Sequence, residues 1–223
     1  MRRVDDETPR FIPDADWHRL ISAAVRMTPE VGSELGVPLP FEQIRAVLGV
    51  LLECGLRAGE LCRLDTGCII TAQDAATPTV THWMHVPVGK LRKDRMIPIK
   101  PSLVQLVDEW MRRHRPQPLL WDERTHKLRD YLFAWQGGAL SPRALNKLIT
   151  RLCIAAGIPR FTSHTFRHTL AVQWRKNGMR IETISSMLGH RDLKMTLRYA
   201  AVMPTTLRRE FDQAFAEIDE EHR

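Results

Sequence analysis

Arg57, Lys90, His164, Arg167, His190 and Tyr199 occur in that order along 223 residues, each inside a short local pattern. The patterns are Gly55-Leu56-Arg57-Ala58-Gly59-Glu60-Leu61, Gly89-Lys90, His164-Thr165-Phe166-Arg167 and Leu188-Gly189-His190, with Tyr199 nine residues beyond the last histidine. Transfer of a phosphodiester needs a nucleophile, positive charge on the non-bridging oxygens and a proton for the leaving oxygen. Arginine offers planar, bidentate donors that stay charged at any relevant pH, so a pair of arginines suits a phosphate. His164 and Arg167 are three residues apart and share one face of a predicted helix. Arg57 follows a Gly-Leu turn at a predicted helix start, where backbone N–H groups also favour an anion. A tyrosine with a free pKa of about 10 needs an acceptor or a strong positive field to attack at neutral pH. The five basic groups supply that field.

The choice of nucleophile is narrow, because the chain has two tyrosines. Tyr131 lies in Leu128–Trp135, an aromatic and aliphatic stretch that reads as core or loop packing. Tyr199 lies in a short basic segment with Lys194 and Arg198, suited to approach a polyanion. Lys90 shares its turn with Arg92 and Lys93, so each of the three is a candidate for a plain solvated charge. His168 forms an i, i+4 pair with His164, but no third ligand or His-Glu-x-x-His pattern completes a metal shell. It reads as a packing and hydrogen-bonding residue. Glu60 reads as a group that orients an arginine. The acids near these motifs are scattered and no phosphate-cradling G-x-x-x-x-G-K-[ST] loop occurs, so the expectation is neither metal nor nucleotide cofactor.

The bulk properties fit such chemistry. The formal net charge is +7 and the isoelectric point about 9.6, which favours a polyanionic partner. The charge is uneven: from Glu210 onward six acids face one base, and the remainder carries +12. Neither a signal-peptide pattern nor an apolar run of membrane-spanning length is present, so a cytoplasmic location without membrane contact is expected. Cys54, Cys62, Cys68 and Cys153 include no C-x-x-C pair and read as reduced core residues.

Positioning these groups requires a frame. Periodicity and capping predict helices over Asp14–Met27 with Asp14 as N-cap, Phe41–Cys54 ended by Gly55, and Ala58–Leu64. They predict further helices over Ser102–His114, Ser141–Ala156 with Ser141 as N-cap and Pro142 at the first position, and His164–Asn177. Ile181–Leu188, Leu193–Ala200 and Thr205–Glu220 complete a chain that reads as helical from Ser102 to its end. Thr28–Pro40 reads as a turn-rich connection. The β signal is confined to Cys68–Thr71, Thr79–Val88 and Arg95–Ile99, the last two joined by a hairpin tip over Gly89–Asp94. The fold class is therefore α+β, mainly α-helical with a small antiparallel three-stranded sheet.

In combination these motifs resemble the catalytic domain of the tyrosine recombinases, the phage integrase family. Gly55–Leu61 looks like the family's first arginine box, His164–His168 like its second, and Leu188–His190 with Thr196 and Tyr199 like the box that ends in the nucleophile. The resemblance runs from about Asp14 to Ala200. It implies the DNA breaking-rejoining fold and a recombinase that needs neither metal nor ATP. Tyr199 would attack the scissile phosphate to leave a 3′-phosphotyrosyl bond, Arg57 and Arg167 would hold the phosphate, and Lys90 would protonate the departing 5′-oxygen. His190 would hydrogen-bond the phosphate, and His164 would assist proton movement near the tyrosine, with Glu60 and His168 in support. The implied partner is double-stranded DNA, with self-association as a tetramer on that DNA and a nucleoid location in the cell.

The implied organisation is a flexible segment over 1–13, the catalytic domain over 14–203 and a C-terminal helix over 204–223. The apolar residues Leu207, Phe211, Phe215 and Ile218 suit docking of that helix either on its own domain or on a neighbouring protomer. Only 56 residues precede Arg57, so the family's usual N-terminal DNA-binding domain is expected to be absent. A type IB topoisomerase shares the chemistry, and a non-catalytic helix-turn-helix regulator could use His164–Asn177, Gly178 and Ile181–Leu188. The sequence is expected to be either an excised catalytic domain or a protein that works with half a clamp, and in both cases duplex binding by this chain is expected to be weak and steeply salt-dependent. Gel-shift affinities between 50 and 200 mM salt, about a 10³-fold or greater loss if six or more phosphates are contacted, check this.

Overall fold

The computed structural model describes residues 11–34, 36, 39–73, 80–87, 94–113, 119–123, 125–135 and 137–189. The chain begins with helices α1 (Asp14–Val25), α2 (Pro29–Glu34), α3 (Phe41–Cys54) and the single turn α4 (Ala58–Leu61). Strands β1 (Ile69–Gln73), β2 (Val80–Val86) and β3 (Arg95–Ile99) follow, then α5 (Pro101–Arg113). Two short hairpins, β4 (Leu120–Asp122) with β5 (Lys127–Arg129) and β6 (Ala134–Trp135) with β7 (Gly138–Ala139), precede α6 (Pro142–Ala155), α7 (Ser163–Lys176) and α8 (Ile181–Leu188).

α3 is the central element because its sequence is apolar on nearly every side. Ile44, Ala46, Val47, Leu48, Val50, Leu51 and Cys54 are all buried, and α3 packs on α5, on α7 and on β3. Its one fully buried polar side chain, Gln43, donates from Nε2 to the Ala134 carbonyl at 2.7 Å, which satisfies that buried amide. Trp110 of α5 is likewise buried whole, and its indole N–H donates to the Leu132 carbonyl at 2.9 Å. α1 closes the core from the side through Trp17, set edge-on to Phe166 of α7 at 5.6 Å between ring centres.

The three-stranded sheet is antiparallel in the order β1-β2-β3, as the sequence predicts. Its register pairs Met84 with Ile69 and Ile97, and Val86 with Arg95. Met84, Val86 and Ile97 are fully buried on the inner face, while Ile70, Val80 and Met96 remain exposed. The Val86–Arg95 pair closes the connection that carries Lys90, although residues 88–93 themselves lie outside the described set.

Several expectations are corrected. Asp14 is the first helical residue of α1 rather than its N-cap, a place taken by Pro13, and the helix ends at Val25. The Asp14 carboxylate is engaged at long range instead, accepting from Lys176 Nζ at 2.6 Å and from Gln173 Nε2 at 2.8 Å. These bonds, Lys176 first, hold its pKa below the ordinary value. The connection over Thr28–Pro40 contains α2. α4 stops at Leu61 rather than Leu64, because the Leu64 carbonyl accepts from Leu132 N at 2.8 Å and Asp65 bridges Tyr131. The third strand runs over Ile69–Gln73, after a tight 3₁₀ turn at Thr66–Cys68.

The stretch after α5 is not continuously helical, since β4–β7 occupy Leu120–Ala139. Ser141 does cap α6, its Oγ accepting from Ala144 N at 3.1 Å. α7 starts one residue early, at Ser163, because Thr162 Oγ1 accepts from Thr165 N at 3.3 Å and serves as its cap. The predicted helices Leu193–Ala200 and Thr205–Glu220 lie outside the described residues.

Gly55 ends α3 with φ +58°, a left-handed conformation that favours glycine. An added Cβ would lie 3.1 Å from Leu188 Cδ2, 3.2 Å from Leu170 Cδ2 and 3.3 Å from the Trp174 ring, so α3 ends where α7 and α8 press closest. Gly55→Ala should lower stability by about 1–2 kcal/mol from backbone strain, with any repacking cost added. Urea unfolding checks this: the midpoint should fall with the slope unchanged.

Candidate active site

Three separated pieces of chain meet at the carbonyl end of α8. Arg57 sits in extended conformation (φ −66°, ψ 147°) between α3 and α4, delivered there by the left-handed turn at Gly55 and the fully buried Leu56. Arg167 comes from α7, where the neighbouring Phe166 is sunk in the core. The Arg167 guanidinium is 3% exposed; Nη1 donates to the Gly55 carbonyl at 2.6 Å and Nη2 to the Leu188 carbonyl. Arg57 approaches the same helix end, Nη1 lying 3.3 Å from Leu188 O and Nη2 3.3 Å from Gly189 O. A helix C-terminus leaves its last carbonyls unpaired and carries partial negative charge, so two guanidiniums find complementary acceptors there.

Glu60 binds the cluster together. Its side chain is 4% exposed. It accepts from Arg57 Nη1 at 2.7 Å, from the Arg57 backbone N–H at 2.9 Å and from Arg95 Nη2 at 2.7 Å. Arg167 Nη1 lies 3.9 Å away. Burial alone would raise the Glu60 pKa, but hydrogen bonds and charge from Arg95, then hydrogen bonds from Arg57, overcome it and hold the carboxyl at about 2. Three guanidiniums against one carboxylate leave this group at a net +2.

At the start of α4 the Arg57 backbone N–H meets an anion supplied by the chain itself, the Glu60 carboxylate. The expectation that Glu60 orients an arginine matches the geometry. Arg95 was not singled out among the sequence motifs. The available signal was a lone arginine opening an otherwise apolar strand, Arg95-Met96-Ile97-Pro98-Ile99.

His164 and His168 lie on the outer side of α7 with their Nε2 atoms 2.6 Å apart and rings nearly perpendicular. At that separation one ring must donate and the other accept. Partial burial, then the charges of Arg167 and Arg57, hold the His164 pKa below its ordinary value, so the neutral imidazole prevails at pH 7. Lys90, His190 and Tyr199 lie outside the described residues, so the structure brings together Arg57, Glu60, Arg167 and the His164–His168 pair from the sequence candidates. Gly189, with φ +63°, ends α8 immediately before His190.

This geometry agrees with a comparison of sequences. The pattern of the Phage integrase family matches residues 39–205, three-quarters of the chain. The chain belongs to the phage integrase family. Tyrosine recombinase XerC of Corynebacterium efficiens is 28% identical over 177 residues, covering 78% of this chain and 51% of that relative. Transposase B from transposon Tn554 of Staphylococcus aureus is 29% identical over 178 residues, covering 76% of this chain and 26% of the transposase. The crystal structure of XerH site-specific recombinase bound to difH substrate has a TM-score of 0.65 at 19% identity, over 86% of this chain and 50% of that one. The fold is that of the tyrosine recombinase catalytic domain. The chain spans about half the length of the XerC relative it matches.

Within this family member, other candidate nucleophiles are set aside by burial. Tyr131 is 7% exposed beneath Arg129. All four cysteines are buried and free, and burial pushes the Cys62 and Cys68 thiols up to about 12. Among the described residues no three His, Cys, Asp or Glu side chains gather as a metal site, and no described helix is long and apolar enough to cross a membrane.

The Glu60 pKa sets a pH dependence of stability. Its folded value, about 2, lies below the ordinary 4.5. The ionised form therefore stabilises the fold fully above pH 4.5, and the contribution is lost as pH falls through the folded value. Glu60→Gln should cost on the order of 3 kcal/mol near neutrality. The gap from wild type should shrink as pH drops from 4.5 toward 2, as read by denaturant unfolding across that range.

Proposed function

We propose that this chain is the catalytic part of a site-specific DNA recombinase or integrase that cuts and rejoins duplex DNA through a 3′-phosphotyrosyl intermediate. The observation that supports it best is the meeting of Arg57 and Arg167 at the Leu188 carbonyl, two residues before His190 and eleven before Tyr199. The Tyr199 oxygen attacks phosphorus, the phosphorus–5′-oxygen bond breaks, and Lys90 gives that oxygen a proton. Arg57, Arg167 and His190 hold the non-bridging oxygens while negative charge grows on them. The phenolic proton passes toward His164, whose lowered pKa leaves its imidazole free to accept. One phosphoester replaces another, so the exchange needs neither ATP nor a redox partner.

Catalysis of this kind draws on donors already aimed before charge develops. Arg57 and Arg167 are held in place by carbonyls and Glu60, so they need little reorganisation when the phosphate arrives. The partner is double-stranded DNA, and recombination between two duplexes is carried out by a tetramer on that DNA, in the cytoplasm at the nucleoid. The catalytic domain spans 14–203, and 204–223 is a tail whose apolar residues dock either on their own domain or on a neighbouring protomer.

The test is covalent trapping on nicked duplexes whose half-sites are drawn from a randomised pool. Wild type should yield a protein–DNA adduct that survives denaturation, and Tyr199→Phe should yield none while retaining duplex affinity. Arg167→Ala should slow adduct formation by about 10²–10³-fold. An adduct that persists in Tyr199→Phe sinks the assignment of the nucleophile; no adduct in wild type favours a binding-only regulator. Joining of strands between two duplexes, rather than relaxation alone, separates recombinase from topoisomerase.

A further inference from the structure

Arg95 opens β3 and is committed to the protein on every side. Its Nε donates to the Met187 carbonyl at 2.8 Å, while Nη1 and Nη2 reach the two Glu60 oxygens at 3.2 and 2.7 Å. The side chain is 9% exposed. It also lies against Gly189, where an added Cβ would stand 3.1 Å from Nη1. One guanidinium thus ties the first residue of β3 to the acid that holds Arg57 and to the last turn of α8.

We propose that Arg95 is a positioning residue for strand exchange: it fixes Glu60 and the end of α8 so that Arg57 and Arg167 face a phosphate in a set arrangement, and it touches no reacting atom itself. The proposal rests on the recombinase function above. Each of the three Arg95 nitrogens already faces a protein acceptor, and the side chain is only 9% exposed, so direct phosphate contact is not its task. Without it, Glu60 has Arg57 as its closest cation, and the guanidinium meant for phosphate is drawn more fully onto the carboxylate. The cluster's charge also falls from +2 to +1, weakening the field on a phosphate that gains negative charge. Lysine cannot take the place, because a single ammonium does not span two carboxylate oxygens and a carbonyl on another side. By sequence, the same contact lies five residues after Lys90 and three before His190.

The experiment uses the full chain and nicked duplexes recovered by trapping with wild type. Single-turnover adduct rates at saturating DNA, duplex affinity, melting temperature and the pH profile are measured for Arg95→Gln, Arg95→Lys, Glu60→Gln and the Glu60→Gln/Arg95→Gln double variant. Arg129→Gln, which breaks an ion pair with Asp65 at 2.9 Å and removes no hydrogen bond to Glu60 or α8, serves as a control for stability alone.

Arg95→Gln should slow the adduct rate by about 100-fold, the scale of a small misplacement of reacting groups, with affinity little changed. Its rate should acquire an acid limb as Glu60, losing Arg95, protonates at higher pH. That limb should vanish in the double variant, whose loss should be no greater than that of the worse single change. Arg95→Lys should recover only part of the rate, and it carries the same comparison if Arg95→Gln does not fold.

An active wild type beside an Arg95→Gln protein of equal rate overturns the positioning role while leaving the recombinase function standing. So does a slowing that Arg129→Gln reproduces at equal loss of melting temperature, without the acid limb. No adduct from wild type overturns the function and the positioning role together.

Discussion

The Glu60 carboxylate is the contact on which the arrangement of this domain turns. A buried charge is tolerated only when paired and hydrogen-bonded, since the loss of hydration otherwise costs several kcal/mol. Glu60 meets that condition through Arg57 and Arg95, with Arg167 close by. The dependence runs both ways. Guanidiniums this close would repel one another in a poorly hydrated space without the carboxylate and the α8 carbonyls between them. The carboxylate thus joins α4 to β3 and α7 through these arginines, which themselves reach the carbonyl ends of α3 and α8.

Helix ends supply the rest of the frame. α3 and α8 both finish in left-handed glycines, Gly55 and Gly189. Each turn exposes carbonyls that arginines then cap: Gly55 O for Arg167, and Met187, Leu188 and Gly189 O for Arg95, Arg167 and Arg57. Neither position has room for a larger side chain without displacing a neighbour, Leu188 at Gly55 and Arg95 at Gly189. The glycines of the two boxes thus serve close approach and backbone conformation, while the arginines carry the charge. A net positive group held rigid and partly shielded from water acts on a phosphate more strongly than the same charges would in solution.

Much of this was legible from residues alone. The order and spacing of Arg57, His164, Arg167, His190 and Tyr199 marked the family, because a box motif combines turn chemistry with a fixed step along a helix. Phe41–Cys54 and Ser141–Ala156 were readable from periodic apolar residues and from the Ser141-Pro142 cap, both local signals. β2 and β3 were readable because β-branched or alternating residues flank the polar segment Gly89–Asp94. What failed was local reasoning where distant partners compete. Asp14 looks like a cap until Lys176 and Gln173 take its carboxylate, and the stretch over Leu120–Ala139, which carries no helix periodicity, pairs into two short hairpins.

The sequence by itself determined the chemical inventory, the family and the main helices, since these depend on residue type and on spacing over a few turns. Only the tertiary structure decided that Arg95 belongs with Arg57 and Arg167, because no local pattern links a strand's first residue to a helix end 92 positions later. It also decided that Glu60 stays ionised while buried, and that the last carbonyls of α8 serve as acceptors. Both outcomes come from charges brought within 4 Å by packing of separate elements. Spacing along a chain does not encode that distance; the shared core does.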